Sequence, residues 1–282
     1  MSLRRNSAVF VIGLLIASRV GSASQSDELA VTLAGLAERT RHYYDRFVSI
    51  ICTETVRQQE LRFSLTPMGK PRVTVYELSV SRDPRSKDES DFRVGRTLQA
   101  MNGRPAGRNQ EPGCTDPKTG TPEPLGFLLQ EKQRHFRFTL ADVKRDGSGA
   151  RALDFVESPP GRVRITWKDN CFNAEGGGHE GRLWFDPVSF DVLQIDIRLS
   201  KPFLVPTPHG SFGPVPGIRV ERWESTLRFA RVQFTQPDET VLLPESVETL
   251  TVFRGVPSLR ISQTLSDYRR FLSESSIRSA SF

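Results

Sequence analysis

The chain of 282 residues carries 39 Lys and Arg against 33 Asp and Glu, which gives a formal charge of +6. Charges of both signs alternate along it, as in SRDPRSKDESDFR, without a long block of one sign. Because nucleic-acid and membrane-surface patches need clustered positive charge, we expect no nucleic-acid partner and no basic membrane-binding stripe.

The first 23 residues have the pattern of a secretory signal peptide. Arg4 and Arg5 precede an apolar run of about ten residues, and small residues follow at 21–24. That order is typical of export signals, and the run is shorter than the roughly 20 residues that span a bilayer. We expect cleavage after Ala23 or Ser24, export to the periplasm or beyond, and no transmembrane segment in the mature chain. The alternative is an N-terminal helix that is retained.

A stripe of residues spaced by four and three predicts one long helix at the start of the mature chain. Its members are Leu29, Leu33, Leu36, Thr40, Tyr43, Phe47 and Ile50. The stripe covers one face only, so we expect the helix to lie on a sheet. Cys52 follows in the same helical pattern, which predicts a small buried thiol within the helix.

From Arg62 onward the hydrophobic period changes to two, which predicts strands. Alternating segments include RVTVYELSV, HFRFTL, RALDFVES, RVRITWKD, TLRFARVQF, TVLLPESVETLTVF and LRISQTLSDYRRF. Short turns and the lack of crossover helices favour antiparallel pairing. We predict a mainly β (α+β) fold in one domain, 24–282. Its core is a curved antiparallel sheet or half-barrel of about nine to ten strands with the long helix packed on it.

The segment 181–200, GRLWFDPVSFDVLQIDIRLS, predicts a hairpin that is apolar on one side. Asp186 and Pro187 suit the turn, and Gln194, Asp196 and Arg198 alternate with the apolar residues of the second strand. The candidates for the apolar face are Leu183, Phe185, Leu193, Ile195, Ile197, Phe136, Phe138 and Phe229. This face is either an ordinary core beneath the helix, the wall of a cavity for a lipid, or a partner-binding surface.

Two irregular segments interrupt the strands. Residues 102–126 hold five glycines and five prolines, where average usage gives about three in total. Residues 201–217 hold five prolines, which argues against a central strand, yet they are apolar for a loop. We expect the first segment to be a long loop or flap, and the second to be a lid or to tuck into a core.

Three cysteines in an exported protein suggest one disulfide and one free thiol. Cys114 and Cys171 both lie in polar, loop-like sequence, and we predict that they pair. The alternative is three free thiols.

No motif for a catalytic nucleophile, a phosphate loop or a zinc site is present in the sequence. In EGGGHE, His179 and Glu180 follow a glycine run, and a glycine turn explains them better than a metal or catalytic site does. An Asp or Glu hydrolase site has no support, because sequence alone does not pair carboxylates across strands. We therefore expect no catalytic residues, no metal and no cofactor, and lean against an enzyme.

Several stretches resemble an uncharacterised family of exported bacterial proteins. They are LLQEKQRHFRFTLADV, ALDFVE, GRLWFDPVSFDVLQIDIRL, LLPESVE and SDYRRF, within 128–271. Family members carry a similar Gly-Arg-x-Trp-x-Asp-Pro turn, but here Ser189, Phe190 and Asp191 replace a small Thr-Gly-Arg turn. The resemblance implies no activity.

A weaker likeness is to the periplasmic lipoprotein-carrier half-barrel, through the Trp-x-Asp-Pro turn at Trp184 and the later Leu-Pro-Glu. It implies a bent antiparallel sheet, helices that close its open side, and acyl chains as ligands. Fold alone does not assign function.

The leading hypothesis is a non-catalytic exported protein that binds a lipid, an acyl chain or a lipidated partner such as a lipoprotein in the curved sheet. The alternative is an envelope interaction or sensor module with a filled core and no ligand. These two differ in whether the space between sheet and helix is open or packed.

Overall fold

The computed structural model describes residues 20–47, 49–82, 92–107, 121, 123–144, 149–168, 171–206, 217–235 and 238–270. The chain begins there with helix α1, Val20–Arg46. The predicted signal peptide, 1–23, lies largely outside these residues, and the predicted cleavage point falls in the first turns of α1. A 3₁₀ helix, Glu123–Leu128, and the short helix α2, Gln130–Gln133, follow in the middle of the chain.

Fourteen strands make up most of the remaining described chain. They are β1 Ile50–Leu61, β2 Arg72–Arg82, β3 Phe92–Met101, β4 Arg104–Pro105, β5 Phe136–Lys144, β6 Arg151–Glu157, β7 Arg164–Lys168, β8 Cys171–Glu175, β9 His179–Phe185, β10 Val192–Leu199, β11 Phe203–Pro206, β12 Gly217–Thr235, β13 Asp238–Arg254 and β14 Ser258–Arg270.

Twelve of these strands form one antiparallel sheet in the order β4-β3-β2-β1-β14-β13-β12-β10-β9-β6-β5, with β11 added beside β12. Strands β7 and β8 form a separate hairpin. The predicted class, a mainly β fold with a large curved antiparallel sheet and one long N-terminal helix, is confirmed. The strand count exceeds the prediction, because the alternating segments did not include β1, β3, β4, β8 and β11.

Cys52 lies in β1 and not in the helix, so that prediction was wrong. The helix ends at Arg46, and Ser49 adopts a positive φ of 55° that turns the chain into the strand. The following residues include the β-branched Ile50, Ile51 and Thr53, which favour extended backbone. A helical period therefore continued by coincidence from α1 into the first residues of a strand.

The covered face of the sheet, meaning the face on which α1 lies, holds the core. The stripe residues Leu36, Thr40, Tyr43 and Phe47 of α1 are buried against it. One row of apolar residues runs across six neighbouring strands in direct register: Leu140, Leu153, Leu183, Ile195, Leu227 and Val247. Because register partners share one side of a sheet, this row identifies the covered face.

The two irregular segments contain some regular structure. Asn102 and Gly103 form the tight turn between β3 and β4, and the 3₁₀ helix occupies the other end of 102–126. In 201–217, Val205 of β11 is fully buried. Strand β11 pairs only at β12, which agrees with the exclusion of a central strand. The rest of both predicted loops lies outside the described residues.

Candidate functional site

The predicted apolar residues lie on the covered face. Half of them belong to the buried core: Leu183, Phe185, Ile195 and Phe229. Three more are half-buried and pack against that core: Phe136, Phe138 and Ile197.

Leu193 is placed differently because β10 contains an irregular register. Phe185 pairs with Val192 and Trp184 pairs with Gln194, so Leu193 is the extra residue between two paired positions. Val192 is 3% exposed and joins the core, whereas Leu193 is half-buried. A bulge of this kind breaks the strict alternation on which the sequence assignment of Leu193 depended.

The space between α1 and the sheet is packed. The gap lined by Tyr43, Leu125, Phe190, Val192 and Leu242 measures about 20 Å3. Such a volume accepts about one water molecule and no acyl chain. Buried residues on both sides of this region, among them Tyr43, Leu183 and Phe229, belong to one packed core in the described part of the chain.

Helix α1 is fixed to the sheet by a buried carboxylate as well as by apolar contacts. Asp191, 1% exposed, accepts from Arg39 Nε of α1 at 2.5 Å and from Arg231 Nη2 of β12 at 2.7 Å. Beside it, the Phe190 ring lies so close to Gly35 that a Cβ there would meet ring carbons at 2.7 Å. The hydrogen bond that Arg231 donates to Asp191 raises the pKa of the Arg231 guanidinium above its ordinary value.

A second charged group on the covered face is fully satisfied. The buried Glu54 carboxylate accepts from Arg96 Nη2 at 2.5 Å and Nε at 2.8 Å, and from Gln263 Nε2 at 2.9 Å. Arg96 also lies over the Tyr76 ring at 4.2 Å. Because each partner has its bonds, this network supports the fold and leaves no acceptor for a ligand.

Aromatic rings gather where the covered face meets the edge strand β5. The Phe127 ring lies 4.5 Å from Phe155 and 5.3 Å from Phe136, and Phe138 is 6.1 Å from Phe136, between ring centroids. Phe127, Phe136 and Phe138 are half-buried. Solvent therefore reaches the apolar side chains of this edge cluster.

The opposite face of the sheet carries an open groove of about 790 Å3. Its walls are two rows of side chains that alternate with core residues along the strands. One row is Asp154, Arg182, Asp196, Thr226 and Glu248. The other is Val156, Glu180, Arg198, Glu224, Leu250 and Arg260. Backbone of the row between them forms the floor, so the groove runs across β6, β9, β10, β12, β13 and β14.

Some charges of the groove are paired with each other. Arg182 donates to both oxygens of Asp154, at 2.6 and 2.9 Å, and Arg198 Nε donates to Glu180 at 2.8 Å. The hydrogen bonds that Arg182 donates to Asp154 raise the pKa of the Arg182 guanidinium above its ordinary value. These pairs hold their side chains in place along the walls.

Two other carboxylates accept from neutral groups. Asp196 accepts from Thr226 Oγ1 at 2.7 Å and from Gln194 Nε2, which is 2.9 Å from both oxygens. Glu248 accepts from Ser262 Oγ at 2.7 Å. Their negative charge is therefore available to a ligand in the groove.

Gly181 allows two strands to approach closely at the groove floor. A Cβ at this position would lie 2.0 Å from the Asp196 carbonyl oxygen and 2.8 Å from the Phe155 ring. The glycine lets Phe155 cover it on the core side while Asp196 keeps its register with Arg182.

The EGGGHE segment is a turn in the structure. Gly176, Gly177 and Gly178 all have positive φ, and a Cβ at Gly176 would lie 2.4 Å from the Arg162 carbonyl oxygen. His179 contacts Glu157, whose Oε2 accepts from the His179 backbone N–H at 3.0 Å. Among the described residues, no group of three His, Cys, Asp or Glu has the arrangement of a metal site.

The cysteine prediction stays a prediction, since Cys114 lies outside the described residues. Cys52 is a free buried thiol, and burial is the main cause that raises its pKa to about 12. The thiolate is therefore scarce at neutral pH, so Cys52 acts as a small core residue and not as a nucleophile.

Sequence reasoning found the covered face and missed the groove. It assigned Gln194, Asp196 and Arg198 to the side of β10 away from the apolar residues, which is the groove side. It did not pair them with Arg182 or Glu248, because strand order and register across β12 and β13 are not visible in local alternation. The polar alternation of β9, β10 and β12 was the available signal.

No described helix is long and apolar enough to cross a membrane. The chain matches no family model, and no curated protein matches it. Among solved structures, it is similar to the crystal structure of the LolA superfamily protein NE2245 from Nitrosomonas europaea. The identity is 9% and the TM-score 0.38, over 85% of this chain and 94% of the other. At these values no residue role is transferred.

Proposed function

We propose that this protein is an exported, non-catalytic binding module whose binding site is the groove on the open face of the sheet. The observation that carries the proposal is the contrast in volume between the two faces. The groove measures about 790 Å3, within the range of ligand sites, whereas the gap under α1 measures about 20 Å3. Export is proposed from the signal-peptide pattern of residues 1–23.

The chemistry of the groove supports binding and not turnover. Its walls combine ion pairs, the Thr226 hydroxyl, and the apolar side chains of Val156 and Leu250. The hydrogen bond to Asp154 raises the pKa of the Arg182 guanidinium, and a group that stays charged at every working pH is no general base. Rigid polar side chains beside apolar ones are the usual lining of a recognition site.

A second candidate is capture of a lipid or the acyl chain of a lipoprotein. The half-exposed edge cluster of Phe127, Phe136 and Phe138 favours it, because these rings offer an apolar surface to solvent. A chain inserted deeper would have to displace α1, since the space there is packed. This candidate therefore predicts binding at the sheet margin or coupled movement of the helix.

The experiment that tests the groove uses a random peptide library displayed on phage. The library is selected on the full chain and counter-selected on Thr226→Arg, in which a long side chain fills the groove centre. Thr264→Arg is the matched control, since Thr264 is an exposed threonine of β14 outside the groove lining. The proposal is supported if the selected peptides bind the unmodified chain and Thr264→Arg with similar affinity and bind Thr226→Arg at least tenfold more weakly.

The acyl candidate is tested in parallel by lipid mass spectrometry of the purified protein and by titration of a fluorescent fatty acid. The edge cluster, and not the groove, would be the binding site if Phe138→Ser weakens saturable fatty-acid binding and Thr226→Arg leaves the affinity of the selected peptides unchanged. Absence of lipid and of saturable binding would remove the acyl candidate.

A further inference from the structure

We propose that the groove takes an extended segment of a partner protein that carries lysine or arginine side chains. This inference rests on the proposed function and names the chemistry of the partner. It follows from the charge balance of the groove, the position of its carboxylates and its length.

The groove has the opposite charge sign to the chain. The full chain carries +6, but the lining holds five carboxylates against three guanidiniums. Two of the guanidiniums, Arg182 and Arg198, already bind Asp154 and Glu180. A local negative field attracts cationic groups.

The surplus charge lies on two carboxylates in one row. Asp196 on β10 and Glu248 on β13 are separated by two strand spacings, or about 10 Å. In an extended polyproline II segment, side chains three residues apart point the same way and lie about 9 Å from each other. Cationic side chains at every third position therefore match the two carboxylates.

The dimensions indicate a chain and not a small cation. The groove crosses six strands, which span about 24 Å at the usual strand spacing. An extended segment of roughly seven residues has this length. Val156 and Leu250 on the second row offer apolar contact to the uncharged residues of such a segment.

The test measures binding of fluorescent 12-residue peptides to the full chain by anisotropy. One peptide repeats Lys-Pro-Pro, a second repeats Glu-Pro-Pro, and a third repeats Ser-Pro-Pro. The protein is compared with the double variant Asp196→Asn, Glu248→Gln. The control is Glu131→Gln, which removes an exposed carboxylate of α2 on the other side of the sheet.

We expect the lysine peptide to bind saturably and the glutamate and serine peptides to bind at least tenfold more weakly. The double variant should bind the lysine peptide about fivefold more weakly, since each exposed charge pair contributes ~0.2–1 kcal/mol. Glu131→Gln should leave its affinity unchanged, and higher salt should weaken it. If the double variant folds poorly, Glu248→Gln alone takes its place, because Glu248 accepts one hydrogen bond.

Equal binding of the serine or glutamate peptide in a manner sensitive to Thr226→Arg would overturn the cationic preference and leave the groove as a binding site. Lysine-peptide binding that neither the double variant nor Thr226→Arg alters would also overturn it, and it would place the peptide elsewhere. If none of the three peptides binds, and the library binders bind Thr226→Arg as tightly as the unmodified chain, the groove is not a binding site.

Discussion

The same strands form both faces of this sheet, but one face is packed beneath α1 and the other carries an open groove. On the covered face, Leu183 and Ile195 are fully buried beneath α1 and its neighbouring helices. One residue away along each strand, Arg182 and Asp196 line an open groove. Strand alternation thus gives one set of hydrogen-bonded strands a packed side and a wet side.

The packed face stabilises the fold, and the open face is accessible to a partner. A packed face gains stability from each apolar side chain, and little of it is accessible to a partner. An open face made of paired charges contributes little to stability, because exposed ion pairs are weak. Substitutions on the two faces should therefore separate stability from binding.

The largest effect is expected for Leu183→Ala. Leu183 is fully buried at the centre of the core row, so truncation should cost about 3 kcal/mol through lost contact and a cavity. Leu250→Ala removes the same atoms on the groove side and should cost less than about 1 kcal/mol. Urea unfolding followed by tryptophan fluorescence measures both. Equal losses would mean that the two faces are equally packed.

The next effect is expected for Asp191→Ala. The change leaves the Arg39 and Arg231 guanidiniums without their shared buried acceptor. Both arginines are partly exposed, so the cost should be about 2 kcal/mol and not the full value for an isolated buried charge. Glu77→Ala, which breaks the exposed pair with Arg269, should cost under about 0.5 kcal/mol. A loss no larger than that of Glu77→Ala would show that α1 does not need this carboxylate.

A smaller, pH-dependent effect is expected at the β9–β10 turn. Backbone N–H groups of Val188 and Ser189 bind Asp186 and lower the pKa of its carboxyl below the ordinary value of 3.8. The folded state holds that proton less readily than the unfolded state does. Its contribution is therefore complete above about pH 4 and is lost as pH falls through the folded-state pKa.

Asp186→Asn should accordingly cost about 0.5–1 kcal/mol at pH 7 and less at pH 3, which lies below the ordinary pKa of 3.8 at which the carboxyl of the unfolded chain takes up its proton. Urea midpoints at the two pH values test this. Asp142→Asn, at an exposed position of β5, should shift neither midpoint. A cost that grows toward pH 3 would mean that folding raises the pKa of Asp186 and does not lower it.

The smallest effect on stability is expected for Glu248→Gln in the groove. Glu248 is exposed and accepts one hydrogen bond, from Ser262, so its change should alter stability by less than about 0.5 kcal/mol. The same substitution should weaken the lysine peptide about twofold, as one exposed charge pair requires. A loss of several kcal/mol would mean that the groove carboxylates serve the fold.

Local sequence patterns predicted the helix and the strands better than they predicted which strands lie next to each other in the sheet. The four-and-three stripe of Leu36, Tyr43 and Phe47 predicted α1 and its buried side, and period-two alternation predicted most strands. The same rules failed where two patterns met, at Ile50 and Cys52, because a short strand start also satisfies helical spacing. Leu193 shows the second failure, since a bulge changes the facing of a residue without changing its chemistry.

The groove could not be predicted because it is a property of strand order. Arg182, Asp196 and Glu248 lie on β9, β10 and β13, and only the pairing of β10 with β12 and of β12 with β13 brings them into one row. Their alternation in sequence indicates a solvent-facing side and no more.

Methyl NMR of the full chain tests most directly whether recognition belongs to the open face. At 31.7 kDa, with leucine and valine methyls labelled, the signals of Leu250 and Val156 report on the groove and those of Leu183 and Leu128 on the covered core. Titration with the Lys-Pro-Pro peptide should shift the groove methyls and leave the core methyls in place, and a fatty acid should shift neither pair. Core methyls that move with the fatty acid while Leu250 and Val156 stay still would contradict a binding site in the groove and support one beneath α1.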